Sequence, residues 1–372
     1  MKKTANRFKR GTRTGFTTGA CAAAAAAAAT KALVTKKIPT KIKTLLANGD
    51  TVFFSVADCQ LENKKALAVV IKDAGDDPDC TNGAHLTAVV EKIPNKAQAV
   101  DLHGGSGVGR VTRLGVGLEV GSAAINPIPR SNIIENVRIF GGDLLANHGL
   151  SVTISVPGGE KMATKTLNPR LGIVDGISIL GTGGIVYPYS TSAYKACVQQ
   201  SVGAASAIGA DTLIFTTGRR TERFAMKQRA DLPEHSFIQM GDFFAAAMAA
   251  AKENKIPTVI VAAMAGKLAK IGQGMDNTHA HKNSLDMSRV AAIASRAGGS
   301  SEICSQIAET VTVRHATELL NQPELVQKFY QLLTEDVAES MAKRLSADSA
   351  IEVMAFDFSG TLLAHWKQLK NG

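Results

Sequence analysis

The sequence predicts an α+β domain followed by an α/β domain with a mainly parallel sheet. The chain of 372 residues is long enough for two domains, each with its own core. Its first part is rich in strand-like segments, whereas strands and helices alternate in the second part, as they do in βαβ units. The turn Pro157-Gly158-Gly159 separates these two textures. We therefore expect a basic flexible extension (1–12), an α+β domain (13–157), an α/β domain (158–345), and a final strand and tail (346–372). The sequence does not assign this final segment to either domain.

The first expected element is a helix that begins near Thr17 or Thr18, since either hydroxyl can cap the free N–H groups of a first turn. The alanine run carries this helix to about Leu33, because alanine has the highest helix propensity, and Pro39 closes the segment. Strand-like composition then predicts five strands, at about 41–46, 51–57, 66–72, 87–92 and 98–102.

A second helix is expected from Pro129 to about Asn147, because proline suits the first turn of a helix. Leu150–Val156 alternates apolar and polar residues and is predicted to be a strand. In the second domain the same criteria predict strands at 173–180, 212–216, 236–240 and 257–262. They predict helices at 189–208, 220–229, 241–253 and 285–297, further helices over 300–345, and a last strand at Ile351–Phe358.

The formal net charge of +10 is concentrated at one end of the chain. Residues 1–49 hold eleven of the 42 Lys and Arg residues and no acid, whereas residues 50–372 hold 31 basic and 32 acidic residues. A uniformly basic protein that coats nucleic acid is therefore not expected. Aromatic residues make up only 5% of the chain, which disfavours a surface that stacks bases.

The five cysteines favour neither a disulfide framework nor a zinc site, because their number is odd and no C-x-x-C pair occurs. We expect each of them to be a small buried apolar residue. His279 and His281 are two residues apart, which does not suit a metal pair on a helix. The aspartates of residues 72–79 lack the spacing of a calcium loop and indicate a solvated turn, so we expect no metal site.

We also expect a cytoplasmic protein without a membrane partner. No uninterrupted apolar stretch is long enough to span a bilayer. The basic start before Ala22–Ala29 resembles a secretory signal, but a segment rich in Gly and Thr separates the charges from the alanines.

Three glycine-bearing loops are predicted at the carboxyl ends of strands, where parallel sheets bind ligands. Their candidate binding residues are Gly181, Thr182, Gly183 and Gly184 in the first loop, Thr217 and Gly218 in the second, and Gly241 in the third. Glu222 or Asp242 could accept a hydrogen bond from a ribose hydroxyl. Two alternatives stay open, namely that Asp242 is a plain helix N-cap and that the first loop is an ordinary glycine turn.

Several segments together resemble one family. Arg13–Ala24 resembles the opening signature of the cobalt-precorrin-5B C1-methyltransferase family, known as CbiD. Further segments are similar to later blocks of that family in the same order: Lys72–Asp79, Ile125–Arg130, Leu167–Ile173 with Ser178–Thr182, Thr217-Gly218, Met240-Gly241, and Gly266–Lys270 with Asn277–His279. The resemblance covers roughly residues 13–360.

The resemblance implies methyl transfer from S-adenosylmethionine to C1 of cobalt-precorrin-5B, giving cobalt-precorrin-6A in anaerobic cobalamin biosynthesis. Cobalt would enter only as part of the substrate, and the glycine loops with Glu222 and Asp242 would hold S-adenosylmethionine. The carboxylates of the corrinoid would require cationic partners. The candidate substrate-binding residues are Arg13, Thr17, Thr18, Arg110, Arg113, Arg130 and Arg220.

No catalytic acid or base is predicted, because positioning of the methyl group can supply most of the catalysis. Other functions stay open at this point: a nucleotide-dependent oxidoreductase that uses the same loops, a noncatalytic corrinoid-binding protein, and a nucleic-acid-binding protein that acts through its basic N-terminus. A homo-oligomer, and hand-over of the product to neighbouring pathway enzymes, also stay open.

Overall fold

The computed structural model describes residues 11–94, 96–279 and 284–368. Contacts between Cα atoms divide the chain into two compact units, residues 1–191 and 192–372. Most of the predicted N-terminal extension, residues 1–10, lies outside the described residues.

The first unit combines a five-stranded sheet with two long helices. Its elements are β1 (Gly15–Phe16), α1 (Thr18–Thr35), β2 (Lys41–Leu45), β3 (Thr51–Ser55), β4 (Asp58–Leu61), β5 (Lys65–Ile71), β6 (His85–Ile93), β7 (Val100–Gly104), β8 (Gly107–Val108), β9 (Arg110–Val111), α2 (Pro127–Asn147), β10 (Gly149–Ser155), α3 (Gly159–Ala163), β11 (Ile173–Val174), β12 (Gly176–Ile177) and β13 (Ile185–Val186). The sheet has the order β4-β5-β6-β10-β7 and is antiparallel except for the pair β10–β7. Strands β2 and β3 form a separate hairpin.

The alanine-rich helix α1 is the centre of this unit. The Thr17 hydroxyl accepts a hydrogen bond from the Ala20 N–H (3.1 Å), as expected for a cap. Because alanine adds so little bulk, α1 packs closely against α2, β5 and β6, and every alanine from Ala22 to Ala29 is fully buried. Within the described ranges, α1 is the one helix long and apolar enough to cross a membrane, and 83% of that window is buried inside the structure.

The second unit contains the parallel sheet. Its elements are α4 (Thr191–Ala207), β14 (Thr212–Thr216), α5 (Arg219–Gln228), a 3-10 turn (Glu234–Ser236), β15 (Phe237–Gln239), α6 (Phe244–Glu253), β16 (Thr258–Met264), α7 (Ala265–Gly272), α8 (Met287–Ala297), α9 (Ser301–Ala308), α10 (Val313–Leu320), α11 (Pro323–Ala342), β17 (Ala350–Phe356) and β18 (Leu362–Lys367). The strand order is β15-β14-β16-β17-β18, and all neighbours are parallel except β17–β18. The structure is thus mixed α/β with parallel strands, and the last predicted strand, whose sheet was open, joins the second unit.

Both faces of the parallel sheet are buried, as is typical of such sheets. Phe215 and Val261 lie in one apolar cluster, whereas their strand neighbours Ile214 and Ile260 lie in another. The alternation places successive side chains on opposite faces of the sheet, so ligands can reach it only at the strand ends.

The predicted boundary at 157–158 is displaced to 191–192. A Cβ at Gly159 would lie 2.1 Å from the carbonyl oxygen of Gly107, and one at Gly176 would lie 2.2 Å from the same atom. The glycines after Pro157 therefore allow close backbone packing inside the first unit and do not form a linker.

Further details differ from the sequence predictions. The strand predicted at 173–180 is two short strands, β11 and β12, separated by Asp175 in a left-handed conformation (φ 65°). These strands pair with β9 and β8 in the first unit, not with the parallel sheet. Helix α2 begins at Pro127 and is interrupted at Gly142. The sequence did not predict strands β1, β4, β8, β9, β13 and β18.

Candidate functional site

The carboxyl edge of the parallel sheet brings together two of the three predicted glycine loops. Strands β14 and β15 are neighbours, and the Met240 N–H donates to the carbonyl of Thr216 (2.8 Å). The segments Thr217-Gly218 and Met240–Asp242 therefore lie side by side. The third neighbour is the segment after β16, which begins α7 at Ala265–Lys267. This segment was recognised in the family resemblance but not as a strand-end loop.

Gly241 lies against an aromatic pair. It has a left-handed backbone (φ 58°), and a Cβ there would lie 2.9 Å from the hydroxyl oxygen of Tyr194. That hydroxyl donates to the carbonyl of Gln239 (3.2 Å), and the Tyr194 and Phe243 rings are 5.2 Å apart. Glycine favours this left-handed turn and leaves room for the Tyr194 hydroxyl.

Asp242 is held by side chains from α7 and from the segment that follows it. Its Oδ1 accepts hydrogen bonds from the Lys267 ammonium and from the Thr278 hydroxyl (2.9 Å). Lys267 Nζ and Lys270 Nζ both donate to the Thr278 carbonyl, at 3.0 and 3.3 Å. The N-cap of α6 is Phe243 and receives no side-chain hydrogen bond, so the alternative that Asp242 caps this helix is wrong.

The electrostatics of this cluster follow from burial and pairing. Burial disfavours the charged form of Asp242, but the hydrogen bonds from Lys267 and Thr278 outweigh it and hold its pKa below the usual value. Burial, with a smaller contribution from Lys267, lowers the pKa of Lys270. Two ammonium groups therefore surround one carboxylate, and while all three are ionised the cluster has a net positive charge.

The loop after β14 leaves space beside its backbone. A Cβ at Gly218 would meet no atom within 4 Å, and α5 begins at the next residue without a side-chain cap. Glu222 is buried, and its Oε2 accepts from Gln239 Nε2 (2.7 Å). Glu222 thus links α5 to β15, a structural contact that its spacing in the sequence did not indicate. Thr217 Oγ1 lies 3.4 Å from the hydroxyl of Thr221.

The loop 181–184 was predicted to follow a strand of the parallel sheet. It lies instead in the first unit, on the N-terminus of α1. The Gly19 N–H donates to the Leu180 carbonyl (3.0 Å), and the Thr17 N–H donates to the Gly184 carbonyl (2.9 Å). The Leu180 N–H donates to the buried Thr18 hydroxyl (2.9 Å). A Cβ at Gly181 would lie 2.5 Å from the side chain of Thr17, which accounts for that glycine by packing.

The predicted arginines have different partners. The Arg13 guanidinium makes a bidentate ion pair with Asp73, at 2.5 and 3.0 Å, and the Arg13 backbone N–H donates to the Asp76 carboxylate (2.7 Å). Arg110 pairs with Asp175 at 3.3 Å on the β9–β11 side of the first unit. The Arg113 side chain lies against Gly172, and Arg130 Nη1 donates to the Leu102 carbonyl (3.4 Å). Arg220 is exposed on the first turn of α5 in the second unit.

Cysteine burial is only partly as predicted, and one histidine cannot be placed. Cys21 and Cys59 are buried, whereas Cys80 and Cys197 are exposed. His281 lies outside the described residues. Among the residues that the structure does describe, no three His, Cys, Asp or Glu side chains come together as a metal-ligand set.

A parallel sheet with glycine loops and paired charges at its carboxyl edge belongs to the class of α/β proteins that bind small ligands at strand ends. The family is defined by comparison of the whole sequence. The family model CbiD matches residues 5–188, and the model described as CbiD, C-terminal domain, matches residues 277–367. The chain belongs to the CbiD family.

Named relatives agree with this assignment. The cobalt-precorrin-5B C(1)-methyltransferase of Dechloromonas aromatica is 48% identical over 365 residues, which are 98% of this chain and 93% of the relative. The protein of the same name from Variovorax paradoxus is 50% identical over 355 residues, 95% of this chain and 97% of its own. A crystal structure of cobalamin biosynthesis protein (cbiD) from Archaeoglobus fulgidus is 29% identical and covers 70% of this chain and 79% of its own, with a TM-score of 0.38.

Proposed function

We propose that this chain transfers a methyl group from S-adenosylmethionine to C1 of cobalt-precorrin-5B, giving cobalt-precorrin-6A. The observation that carries this proposal is the 48% identity, over nearly the whole chain, to relatives of that name. The relatives give no support to a nucleotide-dependent oxidoreductase, a noncatalytic corrinoid-binding protein or a nucleic-acid-binding protein. A cytoplasmic location, a homo-oligomer and hand-over to other enzymes stay predictions.

The proposed site for S-adenosylmethionine is the carboxyl edge of the parallel sheet in the second unit. Open space beside Gly218 and the turn at Gly241 would let a ligand approach the backbone. Asp242 uses Oδ1 for both of its side-chain hydrogen bonds among the described residues, so Oδ2 can accept from a ribose hydroxyl. Lys267 and Lys270 would compensate the carboxylate of the methionine moiety.

The residues of this site fit a reaction that depends on position more than on proton transfer. When bound, S-adenosylmethionine would supply the methyl group as an electrophile: its sulfur would keep the electron pair of the broken carbon–sulfur bond, and π-electrons of the macrocycle would form the new bond at C1. The chain would hold the two reactants in line and exclude water. Arg13, Arg110, Arg113 and Arg130 of the first unit, and Arg220 of the second, remain the proposed partners for substrate carboxylates.

The experiment that tests the activity is anaerobic incubation of the protein with cobalt-precorrin-5B and S-adenosylmethionine labelled with ¹³C at the methyl group. We expect mass spectrometry to find one added methyl group and NMR to place it at C1. Folded protein that transfers no label would overturn the proposed function.

The cofactor site has its own test in the variant Asp242→Asn. Exchanging a carboxylate for a neutral acceptor should weaken S-adenosylmethionine binding by about five- to tenfold, because charged hydrogen bonds are about 1 kcal/mol stronger than neutral ones. Asp211→Asn is the matched control, since the exposed Asp211 precedes β14 at the opposite edge of the same sheet. Calorimetric titration that gives both folded variants the wild-type affinity would refute the placement.

A further inference from the structure

The first unit has a cavity whose wall residues are not among those proposed above to bind S-adenosylmethionine or the substrate. It has a volume of about 290 Å³ and lies where strand β3 leaves its hairpin and β5 ends. Its walls are mostly apolar: Phe16, Phe53, Phe54, Val70, Ile71 and Asp73. We name this cavity the β3–β5 pocket.

Two large apolar side chains of the β3–β5 pocket face solvent. Phe53 is 68% exposed and Ile71 is 48% exposed. Phe16 and Phe54 form the inner wall, with ring centroids 4.5 Å apart. These side chains offer apolar contact surface to a ligand that enters the cavity.

Cations stand beside this apolar surface on the β2–β3 hairpin. In the hairpin register Lys43 lies opposite Phe53 and Lys41 lies opposite Ser55, which also lines the pocket. Residues opposite each other in an antiparallel pair share one face and lie about 5 Å apart at Cβ. Both lysines are exposed, and neither has an ion-pair partner among the described residues.

The one acid in the pocket wall is already neutralised. Both carboxylate oxygens of Asp73 accept hydrogen bonds from the Arg13 guanidinium, at 2.5 and 3.0 Å. Arg13 remains more than half exposed. Asp73 and Asp76 both pair with Arg13, whereas Lys41 and Lys43 have no ion-pair partner among the described residues, and these two lysines suit an anionic ligand with an apolar body.

We propose that the β3–β5 pocket seats one pyrrole-derived ring of a carboxylate-bearing corrinoid, with Phe53 and Ile71 against the ring and Lys41 and Lys43 paired with its carboxylates. A cavity of about 290 Å³ is at the lower limit of small-molecule sites, so it holds an edge of the macrocycle and not the whole. The proposal rests on the proposed function and adds substrate contacts to it.

The test measures binding separately from turnover. Cobyrinic acid, a stable cobalt corrin with free carboxylates, is titrated against the full chain, and its heptamethyl ester serves as the uncharged probe. The double variant Lys41→Gln/Lys43→Gln should weaken cobyrinic acid binding about three- to tenfold and leave ester binding unchanged, because only the acid offers charges to the lysines. The control Lys37→Gln/Lys64→Gln removes two other exposed lysines and should change neither.

The apolar contact is tested by Phe53→Ser, with Phe358→Ser as control because Phe358 is also about 60% exposed. Phe53→Ser should weaken binding of the acid and of the ester about tenfold, since it removes apolar area from the pocket in both cases. In the methyl-transfer assay the pocket variants should raise KM and keep kcat, the signature of lost uniform binding.

The outcomes separate this proposal from the proposed function. Wild-type binding of cobyrinic acid that neither pocket variant weakens overturns the pocket, as does wild-type protein that binds no cobyrinic acid. Label transfer by wild-type protein, with unchanged KM in both pocket variants, overturns the pocket and leaves the methyltransferase function standing. Failure of wild-type label transfer, with variant-sensitive corrinoid binding, overturns only the methyltransferase function.

Discussion

The buried ion pair between Lys72 and Asp79 makes the sharpest prediction about stability. The Lys72 side chain is 1% exposed, and its Nζ lies 2.6 Å from Asp79 Oδ2. The other oxygen of Asp79 accepts from the N–H and the hydroxyl of Thr81, both at 2.7 Å. The pair closes the loop between β5 and β6, which also carries Asp73 and Asp76, the partners of Arg13.

The two partners should differ in what their removal costs. Asp79→Asn leaves the Lys72 ammonium buried without a counter-charge, and breaking such a pair costs about 3–5 kcal/mol. Lys72→Met keeps the apolar volume and removes the buried charge, while Asp79 retains its bonds from Thr81 and is 24% exposed to water. We therefore expect a cost of about 1–2 kcal/mol for Lys72→Met, and a double variant that costs less than the sum of the singles.

The pH dependence has a definite sign. Burial raises the pKa of Asp79, but the hydrogen bonds from Lys72 and Thr81 outweigh it and hold the pKa below its usual 3.8. A lowered pKa in the folded state stabilises the fold above pH 3.8, and that contribution is lost as the pH falls through the lowered value. Asp79→Asn should abolish this part of the acid sensitivity.

Urea unfolding of the three variants, followed by circular dichroism, gives the order of stability, and hydrogen exchange of amides 72–84 locates the effect. Urea alone does not suffice, because two compact units can unfold in separate transitions. A larger loss for Lys72→Met than for Asp79→Asn would refute the reasoning, as would strictly additive costs in the double variant.

Three further predictions concern α1 and the loop on its N-terminus. Gly181→Ala should destabilise the first unit by about 2 kcal/mol, because φ is +127° and the new Cβ would lie 2.5 Å from Thr17. The control Gly183→Ala, whose Cβ would meet Asn48 at 3.7 Å, should cost less than about 0.5 kcal/mol in urea unfolding; equal costs would contradict the packing argument. Thr17→Ala should cost about 1 kcal/mol and Thr17→Ser much less, since serine keeps the oxygen that accepts from Ala20; thermal unfolding of both variants decides it. Cys21 should resist iodoacetamide in the native state while the exposed Cys80 is alkylated, because burial raises the pKa of Cys21 to about 12; native labelling of Cys21, detected by peptide mass spectrometry, would contradict this.

The sequence predicts best what depends on neighbouring residues. The alanine run specifies α1, and the apolar stretches at 66–72 and 212–216 specify central strands, because propensity and burial act locally there. The domain boundary failed for the opposite reason. The sequence Pro157-Gly158-Gly159 resembles a linker. The carbonyl of Gly107, which leaves no room for a side chain at Gly159, is distant in sequence.

The same limit applies to the candidate site. The sequence identified Gly218, Gly241 and Asp242 as strand-end residues, and the structure brings them to one edge. It could not indicate that Asp242 binds Lys267 and Thr278, which are 25 and 36 residues away. It also misplaced the loop 181–184, because the short strand before it pairs in the first unit.

Pairing separates cations that shape the loops from cations available to a ligand. Lys72 is buried and binds Asp79, so its charge fixes the loop after β5. Lys41 and Lys43 are exposed and have no ion-pair partner among the described residues. A ligand carboxylate can therefore pair with them without breaking an existing ion pair. The basic excess of residues 1–49 is thus informative only after each cation is assigned a partner. We therefore expect added salt to weaken cobyrinic acid binding, and the double variant Lys41→Gln/Lys43→Gln to reduce this salt dependence while the control Lys37→Gln/Lys64→Gln keeps it.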